Sequence, residues 1–249
     1  MKHITATLVT ATLVATVAVA ADADAADRRK HNAPVVTKQV KKVGHTKGKV
    51  KRKLKASANM PKGFAWPPNA AMQASGDACK ASLTDATIGF TDATPHNRVP
   101  TPIELTNLEI AGVRYVSIFR KPPFIMDCHL AAALVQHSDK LFALGVREVR
   151  FSRIYGYTNV RTGGKTKNML SRHALGLAMD IYSVVDETGR VAVVGADYKK
   201  ADVLLLSIEA TLNESHSFRT VLSPKNDPRS HHDHFHIEAF VDFTTKPTT

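Results

Sequence analysis

Residues 231–236 read His-His-Asp-His-Phe-His, four imidazoles in six positions and a third of the chain's 12 histidines. On a strand, side chains alternate, so His234 and His236 share one face while Phe235 and Ile237 take the other. The apolar pair belongs in a core, which turns the imidazoles toward a cleft where both can converge on a first-row metal ion. A lone His-x-His pair is more often surface or hydrogen-bonded core; the density of histidine here favours ligation. Residues 171–180, SRHALGLAMD, supply what that strand lacks. Catalytic zinc takes three protein ligands and keeps a fourth position for water. Gly176 costs a continuous helix about 1 kcal/mol relative to Ala. A loop carrying His173 that turns at Gly176 into a strand carrying Asp180 would bring both side chains to one place. Asp180 sits in the apolar run LAMDIY, and a buried carboxylate needs a cation or several donors. A metal satisfies it, and so would a core arginine.

The elements that must position these groups can be read from periodicity. VREVRFSRI (146–154), LAMDIYSVV (177–185), FRTVL and HFHIEAF read as strands, and Thr188-Gly189 turns the second of these into RVAVV. Residues 103–119 alternate around Ala111-Gly112 and predict a hairpin. Leu130, Leu134, Leu141 and Leu144 recur at helical spacing, with Asp127 as cap and Gly145 beyond the end. A second helix is predicted over 199–212, with Leu204, Leu205, Ile208 and Leu212 on one face. Residues 156–168 read as an exposed loop, and residues 61–100, rich in Pro, Ala, Gly and Asn, as loops wrapping the domain. Helices inserted among hairpin-linked strands predict an α+β fold, a mainly antiparallel central sheet with flanking helices, in one domain over 61–249.

The N-terminus points to export. A short basic start precedes an apolar run ending Ala18-Val19-Ala20, the layout of a signal peptide (1–20) cleaved after Ala20. An uncleaved anchor is the other reading. The mature protein is therefore expected in the periplasm or secreted. Residues 28–57 carry 12 Lys or Arg and no acidic residue, against a net +12 for the whole chain. Residues 1–27 carry a net −2, which leaves +2 for residues 58–249, so the basic character belongs to a linker, 21–60, expected to be disordered. No nucleic-acid partner is expected outside the cytoplasm. Anionic envelope polymers or a membrane surface fit better, at about 1 kcal/mol per basic residue near such a surface. A merely solvated spacer is the plainer alternative. Cys79 and Cys128 are the only cysteines, and an even count in an oxidising compartment favours a disulfide. It would close a loop of about 50 residues, worth on the order of 4 kcal/mol.

S-x-H-x-x-G-x-A-x-D followed by a late H-x-H resembles the zinc peptidases that cut D-amino-acid bonds in bacterial cell walls, the superfamily of lysostaphin-type endopeptidases and D-alanyl-D-alanine carboxypeptidases. Within it, residues from about Met126 to Phe240 look most like the bacterial extensin-like C-terminal domain family, down to the phrase FRTVLSPKNDPRSHHDHFH. The resemblance implies a single zinc-peptidase domain in which His173, Asp180 and His236 hold Zn2+. It implies His234 as general base or transition-state stabiliser, His231 as a further active-site histidine, and Arg161 as a contact for a substrate carboxylate or carbonyl. Val160 and Ser215–Ser217 stand where the family carries two further cysteines, which leaves Cys79–Cys128 as the remaining bond. The implied activity is hydrolysis of peptidoglycan cross-links or stem peptides, by water that the metal makes acidic and a histidine deprotonates. The alternatives are a non-catalytic metal-containing cell-wall-binding protein and an electrostatic adhesin working through its basic linker. Glu238 shares the strand face of His236 and could orient it or be solvated. His129, His137, His216 and His232 have no motif context, Arg153 and Arg172 read as surface charges more readily than substrate contacts, and Trp66 reads as a packing anchor.

Overall fold

A computed structural model describes residues 59–105 and 107–245 of the chain. The expected signal peptide and the expected linker up to residue 58 lie outside the described residues. In chain order the elements begin with α1 (Ala70–Asp85), β1 (Thr91–Asp92), β2 (Pro102–Leu105), β3 (Glu109–Ile110), β4 (Val113–Ser117) and β5 (Phe124–Asp127). Next come α2 (Cys128–Ala143), β6 (Val146–Arg153), β7 (Asn159–Thr162), β8 (Lys165–Leu170), a 3-10 turn (Arg172–Leu175) and β9 (Ala178–Asp186). The chain closes with β10 (Val191–Val193), α3 (Val194–Asp197), α4 (Val203–Glu214), β11 (Phe218–Leu222) and β12 (Phe235–Ala239).

The main sheet runs β11-β12-β9-β6-β4-β3, with β10 paired to β9; every pairing is antiparallel except β4 with β6. The α+β architecture expected from the sequence is the one observed. Its core is made by alternation. Met179 and Ile181 of β9 and Phe235, Ile237 and Ala239 of β12 are buried with the leucines of α2, while Asp180 and His236 take the opposite face of their strands. Asp127 caps α2 by accepting from His129 N. Its second oxygen accepts from Thr101 N at 2.7 Å, so a fully buried carboxylate has its donors in place. No helix among the described residues is long and apolar enough to cross a membrane.

Four expectations need correction. Residues 61–100 are not all loop, since α1 occupies Ala70–Asp85 with Asn69 as its cap. Its buried stripe is Met72, Gly76, Cys79 and Leu83. Two of those four are small because the helix lies close to its neighbours: a Cβ on Gly76 would fall inside the Thr101 side chain. Helical spacing was present, but large apolar residues did not mark it. Residues 156–168 are not a plain loop; β7 and β8 form a hairpin turning at Gly163-Gly164, both at positive φ (58° and 77°), as a two-residue turn requires. The hairpin at Ala111-Gly112 is present as β3–β4, but β2 leaves it to pair with β1 and β5 in a separate sheet. The last long helix starts at Val203 because Ala201 takes a left-handed conformation (φ 58°) and Asp202 caps the new helix through Leu205 N.

Two cysteines join α1 to α2: Cys79 and Cys128 form the expected disulfide, 49 residues apart in sequence. Trp66 is a weaker anchor than expected, since it remains 37% exposed with the Arg98 guanidinium 5.6 Å above its ring.

Candidate metal centre

His173 is placed by a short turn that only glycine can complete. Ser171 caps the 3-10 turn by accepting from His173 N, and Gly176 closes it in the left-handed region at φ 67°. A Cβ there would stand 2.6 Å from Asp127 N, so the turn lies directly against the start of α2. Gly176 O accepts from Asp127 N at 3.0 Å, which ties the turn to that helix start. Asp180 follows on β9, and the β9–β12 register sets it directly opposite His236. Two neighbouring strands and one turn therefore meet at a point, and all three side chains are buried there.

The distances define a compact triangle. His173 Nε2 lies 3.0 Å from Asp180 Oδ1 and 3.1 Å from His236 Nδ1, and His236 Nδ1 lies 2.8 Å from Asp180 Oδ1. The opposite nitrogen of each ring is already engaged. His173 Nδ1 is 2.7 Å from the Ile154 carbonyl, and His236 Nε2 is 3.2 Å from Glu238 Oε1. A carbonyl and a carboxylate only accept, so those two nitrogens carry the protons. In the neutral rings the inner nitrogens are then bare lone pairs facing each other and a carboxylate oxygen. Three acceptors at such separation repel unless a cation or proton sits among them. That donor set fits a divalent metal of the zinc type.

The charge states point the same way. Burial disfavours the Asp180 carboxylate, but His173 and the hydrogen bonds from His173 and His236 outweigh it and hold its pKa well below the ordinary range. Burial also disfavours a charged His236, yet hydrogen bonds to Asp180 and Glu238 prevail and hold its pKa up to about 9. A proton is therefore retained among the inner atoms of the triangle at neutral pH.

Around the triangle stand the other expected residues. His234 Nε2 is 3.6 Å from Asp180 Oδ1, and its Nδ1 is 2.8 Å from Asp233 Oδ1. His231 Nδ1 is 3.0 Å from Asp227 Oδ2, and its ring centre is 5.0 Å from that of His234 and 5.2 Å from that of His236. Burial, followed by the nearby His236 and His234, lowers the His231 pKa. All of these residues line one cavity of about 970 Å³, as does Arg161 from the exposed β7–β8 hairpin. Arg161 is thus at the cavity wall. His232 points outward as expected, with a side chain 61% exposed.

Several residues of the site were not anticipated. Asp227 and Asp233 each hold a histidine, and the Ile154 carbonyl fixes His173. Asp227 lies four residues before His231, a spacing visible in the sequence, but no pattern announces a backbone carbonyl. Glu238 settles as a buried partner of His236, and not as a solvated residue. Arg172 is buried at 2% exposure, against the expectation of a surface charge. Arg153 pairs in register with Asp180 across β6–β9 and lines the cavity.

No curated protein and no solved structure matches the chain. The family described as Extensin-like protein C-terminus matches residues 77–245, which takes in the second half of α1, the disulfide, the His173 turn and both strands of the triangle. By that match over more than half its length, the chain belongs to the extensin-like protein C-terminal family.

Proposed function

We propose that this protein is an exported zinc-dependent peptidase that hydrolyses peptide bonds in peptidoglycan cross-links or stem peptides. The observation that carries the reading is the convergence of His173 Nε2, Asp180 Oδ1 and His236 Nδ1 within 3.1 Å of one another, with both rings held from behind. His173 through Nε2, Asp180 through Oδ1 and His236 through Nδ1 would hold the metal. When bound, zinc supplies a Lewis acid that polarises a carbonyl and lowers the pKa of a water to about 7. His234 donates its Nδ1 proton to Asp233, which leaves Nε2 to accept the proton that water loses as its oxygen attacks the carbonyl carbon. The same proton passes to the nitrogen of the leaving amine as the C–N bond breaks. His231 has the same construction, with Nδ1 tied to Asp227, and its lowered pKa keeps the ring neutral and able to accept or relay a proton. Arg161 offers a cation on the cavity wall to a substrate carboxylate or carbonyl. The basic segment 28–57 would hold the enzyme at anionic envelope polymers or a membrane surface.

The test is digestion of purified bacterial sacculi by the protein, with zinc or with a chelator, followed by mass analysis of what is released. Zinc-dependent fragments are expected, and H173A should lower both bound metal and release by at least about 100-fold. Bound metal with no release from any sacculus would replace this reading with that of a metal-containing wall-binding protein.

A further inference from the structure

A line of polar contacts leads outward from His236 to the first described residue. His236 Nε2 donates to Glu238 Oε1 at 3.2 Å, and Glu238 Oε2 lies 3.3 Å from Arg219 Nε. Arg219 Nη1 donates to the Asn59 carbonyl at 3.3 Å, and Arg172 Nε donates to the same carbonyl at 2.6 Å. The Asn59 side-chain amide donates in turn to the Leu170 carbonyl at 2.7 Å, just before the turn that carries His173. Two guanidiniums thus share one carbonyl, and one of them, Arg219, also pairs with the carboxylate. Arg172 Nη1 is buried with no hydrogen-bond partner among the described residues.

Glu238 lies between a guanidinium donor, Arg219 Nε, on one oxygen and the His236 ring on the other. A carboxylate only accepts, so the proton between Glu238 and His236 belongs to His236 Nε2. The lone pair of His236 then lies on Nδ1, the atom in the triangle. The identity of the inward-facing nitrogen is therefore fixed from behind the ring, by Glu238 and the arginine paired with it.

We propose that Arg219 and Arg172, anchored on the Asn59 carbonyl, form a positioning unit that holds Glu238 against His236 Nε2 and so presents His236 Nδ1 to the metal. The inference rests on the reading that His173, Asp180 and His236 hold a metal ion. It makes the segment at Asn59, which precedes the matched family region 77–245, a working part of the site. Arg219 and Glu238 are positioning residues with no contact to the reacting atoms.

Zinc affinity tests this directly, measured on the full chain by competition with a chromophoric chelator and checked by the visible spectrum of the cobalt-substituted protein. E238Q should weaken zinc by about 10- to 100-fold and R219Q by about 3- to 10-fold, with R219K between R219Q and the unsubstituted chain. Arg219 sits on edge strand β11 with a side chain 29% exposed, so R219Q should unfold at an unchanged temperature. Should R219Q lose stability, E238Q, similar in shape to the native residue, carries the test. Unchanged zinc affinity and cobalt spectra in both variants would overturn the inference while leaving the metal site standing. Failure of the unsubstituted chain to take up zinc or cobalt would overturn the proposed function and the inference together.

Discussion

The same residue types do different work in different places, and partners decide which. Ser75, His129 and Asp127 form a hydrogen-bonded series, with distances of 2.9 Å and 2.7 Å, whose composition is that of a nucleophilic triad. Asp127 is committed there to the Thr101 and His129 amides at the head of α2, and none of the three lines the cavity of the metal centre. The histidines of the centre differ because each has its outer nitrogen tied and its inner nitrogen turned toward a cavity. The sequence could show that His173, Asp180 and the late His-x-His belong together, because types and spacing carry that. It could not show which nitrogen of each ring faces inward, because the Ile154 carbonyl and Glu238 decide it through tertiary contacts. His137 is a third case. It is 1% exposed on α2, edge-on to Phe218, with neither ring nitrogen hydrogen-bonded among the described residues. Burial, with Lys140 adding and Asp139 opposing, lowers its pKa from 6.5 to about 4. The unfolded chain binds a proton there that the folded chain refuses, so its contribution is complete above pH about 6.5 and is lost as pH falls toward 4. Urea unfolding at pH 7 and pH 4.5 should show H137L losing on the order of 2 kcal/mol less than the unsubstituted chain over that interval. Equal losses would mean that His137 takes up its proton without disturbing the fold.

At the scale of elements, legibility followed side-chain size. The strands carrying Asp180 and His236 and helix α2 were visible because Leu, Ile, Val and Phe mark their buried faces. Helix α1 was not, because Gly76 and Cys79 occupy positions where a periodic reading looks for leucine. The β7–β8 hairpin escaped because most of its residues are exposed on both sides, leaving only Gly163-Gly164 as a signal. Close approach explains the small residues, and it makes a prediction at the turn that carries His173. G176A places a Cβ 2.6 Å from Asp127 N while holding a left-handed backbone at φ 67°. The two penalties together amount to about 2–4 kcal/mol. Denaturant unfolding should show that loss, and because the turn shifts off the α2 start, zinc affinity should fall with it. A G176A protein that keeps both stability and zinc affinity would show that the turn has other ways to position His173.

For the whole molecule, charge is distributed very unevenly along the sequence: +12 on residues 28–57 and only +2 on residues 58–249. The site's own carboxylates are each matched to a histidine or arginine, as in Asp180 with His173, Asp227 with His231 and Glu238 with Arg219. The folded part therefore has little net field with which to find a charged polymer, and attraction to one must come from the basic segment. Such attraction is additive over many weak contacts and is screened at a Debye length of about 8 Å at physiological ionic strength. Chemistry and attachment should then separate cleanly. Deleting residues 28–57 should leave hydrolysis of a small soluble peptide unchanged, since His173, Asp180 and His236, the candidate ligands among the described residues, are all outside that segment. The same deletion should sharply reduce cosedimentation with sacculi or with vesicles containing anionic lipid, and raised salt should do to the intact chain what the deletion does at low salt. If the deleted chain still binds sacculi as well as the intact one, recognition of the wall resides in the cavity itself. If soluble-peptide hydrolysis is lost with the deletion, the basic segment reaches the site, and the division of labour argued from charge is wrong.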